Sequence, residues 1–396
     1  MTKYNKNIPE GTRDIVYGEV LPYEEITERL SKVYIASGFE CIMTPTLEFY
    51  DVFDCDKSIL PESMYKLTDR NGRLIVLRAD NTTPIARVAA TKLRSMDFPQ
   101  KFYYNQPVFR VMGDHSGMRS EIFQSGVELL GAAGMKGDLI CTLTALRALE
   151  ALGLDFKLEL GHVGYYNALI KELALEEEET ERLRVYVEQK QMDGIASLGD
   201  RNRLEKIGKL PLLYGGNEIF SEAAALADGN TEALEALAYL ESLYRSLTDA
   251  GFGDRVIIDM GIVHSIDYYT GTVFRGYIEG AGKPVLTGGR YDHLLQAFGI
   301  DCPATGFALN VGLAADTLMK IRPMRRSPAS RILIHFTPEN FALAEKYRRD
   351  TETDGISCEY SCFDSLTESI SFAVRRGIPW VADVGPDAVS LTGAAN

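Results

Sequence analysis

Apolar residues first recur at helical spacing over residues 22–37, where Ile26, Leu30, Val33 and Tyr34 share one face. Pro22 suits the first turn of that helix and Gly38 its stop. Residues 39–47 read as a strand ending at Pro45, and 65–68 with 74–78 as a hairpin turning at Asn71-Gly72. Residues 81–93 read as a helix. Two strands, 101–110 and 122–130, flank a loop at 111–121; an apolar helix at 139–152 and a strand opening at 157–160 follow. From 165 to 250 Leu, Ala and Glu dominate with helical periodicity, which predicts a helical insertion between two parts of one sheet. Its acidic run 176–179 reads as a solvated helix start. Residues 256–292 are rich in β-branched and aromatic side chains, with a turn at Gly280-Ala281-Gly282 and a glycine pair, Gly288-Gly289, where backbone can approach a ligand. Residues 305–318 are expected to close the domain as a helix.

Prolines, serines and charges mark 321–330 as a linker. Beyond it strands at 332–336, 357–360 and 380–384 alternate with helices at 338–354 and 366–376, predicting a small α/β domain with a parallel sheet. The expected organisation is α+β: a core over 1–320 with the insertion at about 165–250, then the linker, then 331–396.

Composition narrows the function more than the fold. A formal charge of −14 and a pI near 5.0 oppose a broad nucleic-acid-binding face. The sequence holds no run long enough to span a membrane and no signal-peptide core, so a cytoplasmic protein is expected. Six scattered cysteines, with only Cys358 and Cys362 close together, give no zinc pattern; no metal and no cofactor are expected.

Four polar sets sit on predicted strands or beside them: Arg78, Asp80 and Thr82; Arg110; Gln124 and Glu128; and Asp267, Tyr268, Tyr269 and Arg290 with His264. Acidic Asp80 and Glu128 suit an ammonium or imidazolium, Arg110 a carboxylate or phosphate, and Gln124 both donates and accepts. Together they suit a zwitterionic amino acid, although each alone is more often a structural ion pair or a sheet-edge charge. No nucleophile elbow, zinc-protease helix or phosphate-binding loop is present, so no catalytic residue is assigned.

The segments Pro9-Glu10-Gly11-Thr12-Arg13-Asp14, Leu77-Arg78-Ala79-Asp80, Val108-Phe109-Arg110, Phe123-Gln124-Ser125-Gly126-Val127-Glu128, Asp267-Tyr268-Tyr269-Thr270-Gly271 and Gly288-Gly289-Arg290-Tyr291-Asp292 resemble the catalytic core of histidyl-tRNA synthetases, in order from about residue 8 to 318. The resemblance implies the class II aminoacyl-tRNA synthetase fold: six or seven antiparallel strands with flanking helices, a dimer formed through the first helix and the strand ending at Pro45, and a shortened anticodon-binding-like domain after Arg331. It also implies a histidine pocket at Asp80, Thr82, Arg110, Gln124, Glu128, Tyr268 and Tyr269.

Three departures bear on activity. His264 stands where the family carries an arginine, Leu313 stands where the third signature ends in a phosphate-gripping arginine, and the loop after Arg110 reads Val111-Met112-Gly113-Asp114-His115-Ser116. Losing one preorganised donor commonly costs roughly 10²–10³-fold in rate, so three losses leave no amino-acid activation. A histidine pocket without an ATP site resembles the synthetase-like regulatory subunits of ATP phosphoribosyltransferase. That resemblance implies a non-catalytic chain that activates the short catalytic subunit at the first step of histidine biosynthesis and mediates inhibition by histidine within a hetero-octamer. An atypical synthetase and a stand-alone histidine-binding module are the alternatives.

Overall fold

The computed structural model describes residues 6–54, 59–112, 119–198, 201–263, 269–322 and 330–394. The chain divides into two compact units, Met1–Pro323 and Met324–Asn396. In the first, strands β1 (Glu40–Cys41), β2 (Leu47–Phe49), β3 (Lys66–Thr68), β4 (Leu74–Leu77), β5 (Gln100–Phe109), β6 (Glu121–Leu130), β7 (Phe156–His162), β8 (Tyr214–Gly215), β9 (Val256–Asp259), β10 (Thr272–Ile278), β11 (Leu286–Arg290) and β12 (Ala304–Asn310) form two sheets. The larger has nine strands in the order β1-β5-β6-β12-β11-β10-β7-β9-β8, and the smaller runs β2-β4-β3.

From β5 to β7 six neighbours are antiparallel, as expected, but β1 joins β5 and β9 joins β7 in parallel. Two further departures have local causes. The strand expected over 39–47 stops after Cys41: Ile42 N still donates to Tyr103 O at 2.9 Å, but at Thr44 the backbone bonds side chains instead, its N donating to Gln106 Oε1 at 3.0 Å and its O accepting from Arg78 Nη1 at 2.8 Å. The helix expected over 305–318 is strand β12 followed by the helix Val311–Ile321, divided at Asn310, whose side chain accepts from Leu313 N at 2.9 Å as an N-cap.

Strand alternation gives the nine-stranded sheet two different faces. One is covered by helices. In the helix Leu21–Ala36 the buried residues Pro22, Ile26, Leu30 and Tyr34 fall four apart, and the Tyr34 ring meets Tyr103 at 5.7 Å and Phe307 at 5.9 Å. The helices Gly134–Ala151 and Val311–Ile321 complete this layer, with Leu149 against Gly276. The other face carries Tyr104, Gln124, Gly126, Glu128 and Gly306, and Tyr104 packs with Ile85, Ala86 and Ala89 of the helix Thr82–Ala90.

The segment read as an insertion is helical, from Val163–Lys171 to Thr231–Leu247, with only β8 as strand among its described residues. The second unit orders its strands β14-β13-β15-β16, with β13 (Ile332–Phe336), β14 (Cys358–Tyr360), β15 (Trp380–Val384) and β16 (Val389–Gly393). The first three strands of that order are parallel, but the added β16 is antiparallel to β15, which corrects the all-parallel expectation. No helix among the described residues is long and apolar enough to cross a membrane.

Candidate functional site

Strand β6 supplies the axis of the site. Gln124, Gly126 and Glu128 lie on one face at every second residue, paired across β12 with Asn310, Ala308 and Gly306 and across β5 with Gln106, Tyr104 and Phe102. Small residues thus form a floor between one amide and one carboxylate. They also admit the site's own side chains. A Cβ on Gly306 would sit 2.0 Å from Glu128 Oε2, and one on Gly289 would sit 2.8 Å from Cε1 of the Tyr269 ring. A Cβ on Gly306 would also lie 2.5 Å from Val127 O, so Gly306→Ala is expected to displace Glu128 and strain the β6–β12 pairing, destabilising the fold by roughly 1–3 kcal/mol, read as a lower thermal midpoint; an unchanged midpoint would mean that both neighbours give way freely.

Glu128 is 1% exposed. Thr82 Oγ1 donates to its Oε1 at 2.7 Å, and the Tyr291 hydroxyl donates to its Oε2. Burial pushes the carboxyl up to about 8; the two donors oppose this and nearby Asp80 adds to it. At neutral pH Glu128 therefore carries a proton. Tyr104 is raised well above the usual tyrosine value, first by burial and then by Glu128, Asp80, Tyr34 and Tyr269, so these groups share one electrostatic neighbourhood.

The chain at 79–82 ties the rest of the set together. Arg110 Nε donates to Ala79 O at 2.9 Å, Asn81 Nδ2 to Gln124 Oε1 at 3.1 Å, and Asp80 accepts from Thr83 N at 2.8 Å and Thr83 Oγ1 at 2.9 Å, fixing the start of the helix. Asp80, Thr82, Arg110, Gln124, Glu128 and Tyr269 are thus brought together. Tyr268 lies outside the described residues, as do Asp267, His264 and the loop residues 113–118.

Two sequence candidates are used elsewhere. Arg78 is buried under the backbone, with Nε on Pro107 O at 2.6 Å. Arg290 is directed by strand alternation to the helix-covered face, where Nε donates to Asp138 Oδ1 at 2.8 Å and Nη1 to Asp292 Oδ1 at 2.9 Å. Its neighbour Tyr291 points to the pocket face. Sequence reasoning did not place Tyr291 in the site; its position one residue after Arg290, in phase with Gly289, was the available signal.

Beyond the Gln124 end, a cavity of about 180 Å³ is lined by Arg119, Glu121, Phe123, Lys283, Asn310, Gly312, Leu313 and Asp316, among others. Leu313 presents no charge there. Arg119 is held by Tyr23 OH at 2.6 Å and Asp316 Oδ2 at 2.5 Å, lying over Gly312, where a Cβ would be 2.9 Å from its Nη1. Among the described residues no cluster of three His, Cys, Asp or Glu side chains could hold a metal ion.

The sheet, the helical layer and this polar row define a protein of the histidyl-tRNA synthetase type, and the family described as Histidyl-tRNA synthetase matches residues 11–312. An ATP phosphoribosyltransferase regulatory subunit from Clostridium botulinum is 40% identical over 390 residues, covering 96% of this chain and 92% of that one. A regulatory subunit from Bacillus cereus is 36% identical, covering 97% and 93%. The crystal structure of an ATP phosphoribosyltransferase regulatory subunit/histidyl-tRNA synthetase from Bacillus halodurans C superposes with a TM-score of 0.84 at 29% identity, covering 97% of this chain and 98% of that one. The chain belongs to the family of ATP phosphoribosyltransferase regulatory subunits. Its relatives are named as regulatory partners of an enzyme, not as the enzyme.

Proposed function

We propose that this chain activates the short catalytic subunit of ATP phosphoribosyltransferase and carries the inhibition of that complex by histidine, the end product of the pathway it opens. The observation that carries the reading is the buried Glu128 held between Thr82 and Tyr291, its carboxyl raised by burial, at one end of a row that continues through Asp80, Gln124 and Arg110. An imidazole reaching Glu128 accepts or shares its proton, while the amide, the carboxylate and the guanidinium suit the α-ammonium and α-carboxylate. Tyr268 and Tyr269 complete the proposed pocket. Leu313 brings no charge to the neighbouring cavity and Arg119 is engaged by Tyr23 and Asp316, leaving Lys283 as the cation of its lining that makes no ion pair among the described residues, which favours sensing over amino-acid activation. Histidine need only favour one arrangement of the complex by roughly 1–3 kcal/mol to regulate it.

Self-association within a hetero-octamer is part of the proposal. Ile35 at the end of the first helix, Met43 before Pro45, and Leu47 and Phe49 on one face of β2 are all exposed, with Met43 at 83%. These residues lie on the elements that dimerise by resemblance to the synthetases. The region after Arg331 is proposed to be a reduced anticodon-binding-like domain that no longer grips tRNA, consistent with the net charge of −14. The chain is proposed to work in the cytoplasm. The purified chain is expected to co-elute with the short catalytic subunit on size exclusion and to show no histidine-dependent ATP–pyrophosphate exchange. Separate elution together with measurable exchange would return the chain to the synthetases.

A further inference from the structure

Arg290 and Tyr291 are consecutive residues on opposite faces of the nine-stranded sheet. Tyr291 reaches Glu128 on the pocket face, and its backbone N donates to Ala304 O at 2.8 Å. Arg290 reaches under the helices, where its guanidinium meets Asp138, 1% exposed in the first turns of the helix Gly134–Ala151. Nη2 also donates to Ala132 O at 3.2 Å and Gly134 O at 3.0 Å. The fit is close: a Cβ on Gly137 would lie 2.8 Å from Arg290 Nη2. The other oxygen of Asp138 accepts from Thr272 Oγ1 and from the Tyr239 hydroxyl, each at 2.8 Å. Tyr239 belongs to the helix Thr231–Leu247 of the insertion. Its ring lies edge-on to His162 at 5.6 Å, and burial holds that imidazole down at about 4, so it adds no charge.

Arg290 also governs the other wall of the pocket. Its carbonyl accepts from Thr270 N at 2.8 Å, directly after Tyr269, and Thr270 Oγ1 accepts from Asp292 N at 3.1 Å. One buried ion pair is therefore a single peptide from Tyr291, a single backbone hydrogen bond from the Tyr269 segment, and a single side-chain hydrogen bond from the insertion.

We propose that Asp138 and Tyr239 are positioning residues that couple the histidine pocket to the helical insertion. The inference rests on the histidine reading above. A ligand on Glu128 competes with or redirects the Tyr291 hydroxyl; the strand turning at Arg290 follows; and the Asp138 carboxylate, which shares its oxygens between Arg290 and Tyr239, transmits the shift to the helix Thr231–Leu247. The second oxygen of a buried carboxylate needs donors of its own, and here one of the two comes from the insertion, which ties that helix to the ion pair.

The experiment compares the full chain with its Tyr239→Phe variant, which removes one hydroxyl and keeps the ring on His162. Histidine affinity is measured by calorimetry, and amide hydrogen exchange of residues 231–247 is followed with and without histidine. The proposal expects histidine to change exchange in that helix of the wild type. It expects Tyr239→Phe to erase that change and to weaken histidine binding roughly 3- to 10-fold. A double-mutant cycle with Tyr291→Phe should be non-additive in histidine affinity. If the wild type binds histidine but the insertion is indifferent to it, or if Tyr239→Phe matches the wild type in both measurements and the cycle is additive, the coupling is overturned while the pocket stands. If the wild type releases no heat with histidine and gains no protection from it, the pocket reading fails and takes this inference with it.

Discussion

Replacing Glu128 with glutamine is expected to remove histidine sensitivity while leaving the fold and the complex intact. At pH 7 the native carboxyl is protonated by burial, so an amide of the same shape keeps the contacts with Thr82 and Tyr291 without introducing a charge. What it removes is the ability to become a carboxylate against imidazolium. Losing one partner of a buried, hydrogen-bonded charge pair weakens binding by roughly 10²-fold or more. Arg110→Ala is expected to lose inhibition as well, through the ligand carboxylate. Calorimetry with histidine and size exclusion with the catalytic subunit check both variants; normal inhibition in each would show that the regulatory site lies elsewhere. Without ligand, Glu128→Gln should also melt higher than the wild type at alkaline pH. The raised carboxyl contributes stability that is complete below the unfolded value of 4.5 and is lost as pH rises through about 8.

The same proton gives histidine binding a bell-shaped pH dependence. In the complex one proton is shared between Glu128 and the imidazole. Between the imidazole value of about 6.5 and the Glu128 value of about 8, the free protein already holds that proton and the free ligand holds none, so binding is proton-neutral. Above about 8 both partners are deprotonated and binding takes up one proton, which raises Kd about tenfold per pH unit. Below about 6.5 both are protonated and binding releases one, with a similar slope. The ligand's α-ammonium also titrates on the alkaline side, so the Glu128 contribution is the difference between wild type and Glu128→Gln. Titrations in buffers of different ionisation enthalpy count the protons directly. A proton count that stays at zero from pH 6 to pH 9 in the wild type would exclude Glu128 as the imidazole partner.

Most of the architecture can be read from the chain where local chemistry and pattern agree. Asn71-Gly72 marks the β3–β4 hairpin, and Gly72 takes a φ of 79° there. The helix Leu366–Arg376 has the predicted bounds because Ser365 caps one end and Gly377 ends the other. Strand β12 was hidden because its alanine- and glycine-rich sequence runs directly into an amphipathic helix; the boundary signal was the single cap residue Asn310. Strand β16 is hard to read because it is a short, mostly exposed edge strand whose alternation rests on Val389 and Leu391 alone. The parallel pairings of β1 and β9 depend on long-range packing and leave no local trace.

The site was legible by residue type but not by direction. Acidic, amide and basic residues on neighbouring strands announce an amino-acid-sized polar row: Thr82 bonds Glu128, Gln124 and Arg110 are tied to the 79–82 segment through Asn81 and Ala79 O, and Glu128, Asp80 and Tyr269 all lie near Tyr104. Assigning Arg290 and Tyr291 correctly needed the phase of β11, since a shift of one residue exchanges the pocket face for the helix-covered face. That phase is fixed by the Gly289–Gly306 pairing across β12, which sequence alone does not reveal.

The most direct test of the regulatory reading mixes the purified chain with a short ATP phosphoribosyltransferase catalytic subunit from the same organism and follows phosphoribosyl-ATP formation with and without histidine. The account predicts that activity appears or rises only in the mixture and that histidine suppresses it. A chain that leaves the rate of the catalytic subunit unchanged and confers no histidine inhibition on it would contradict the account.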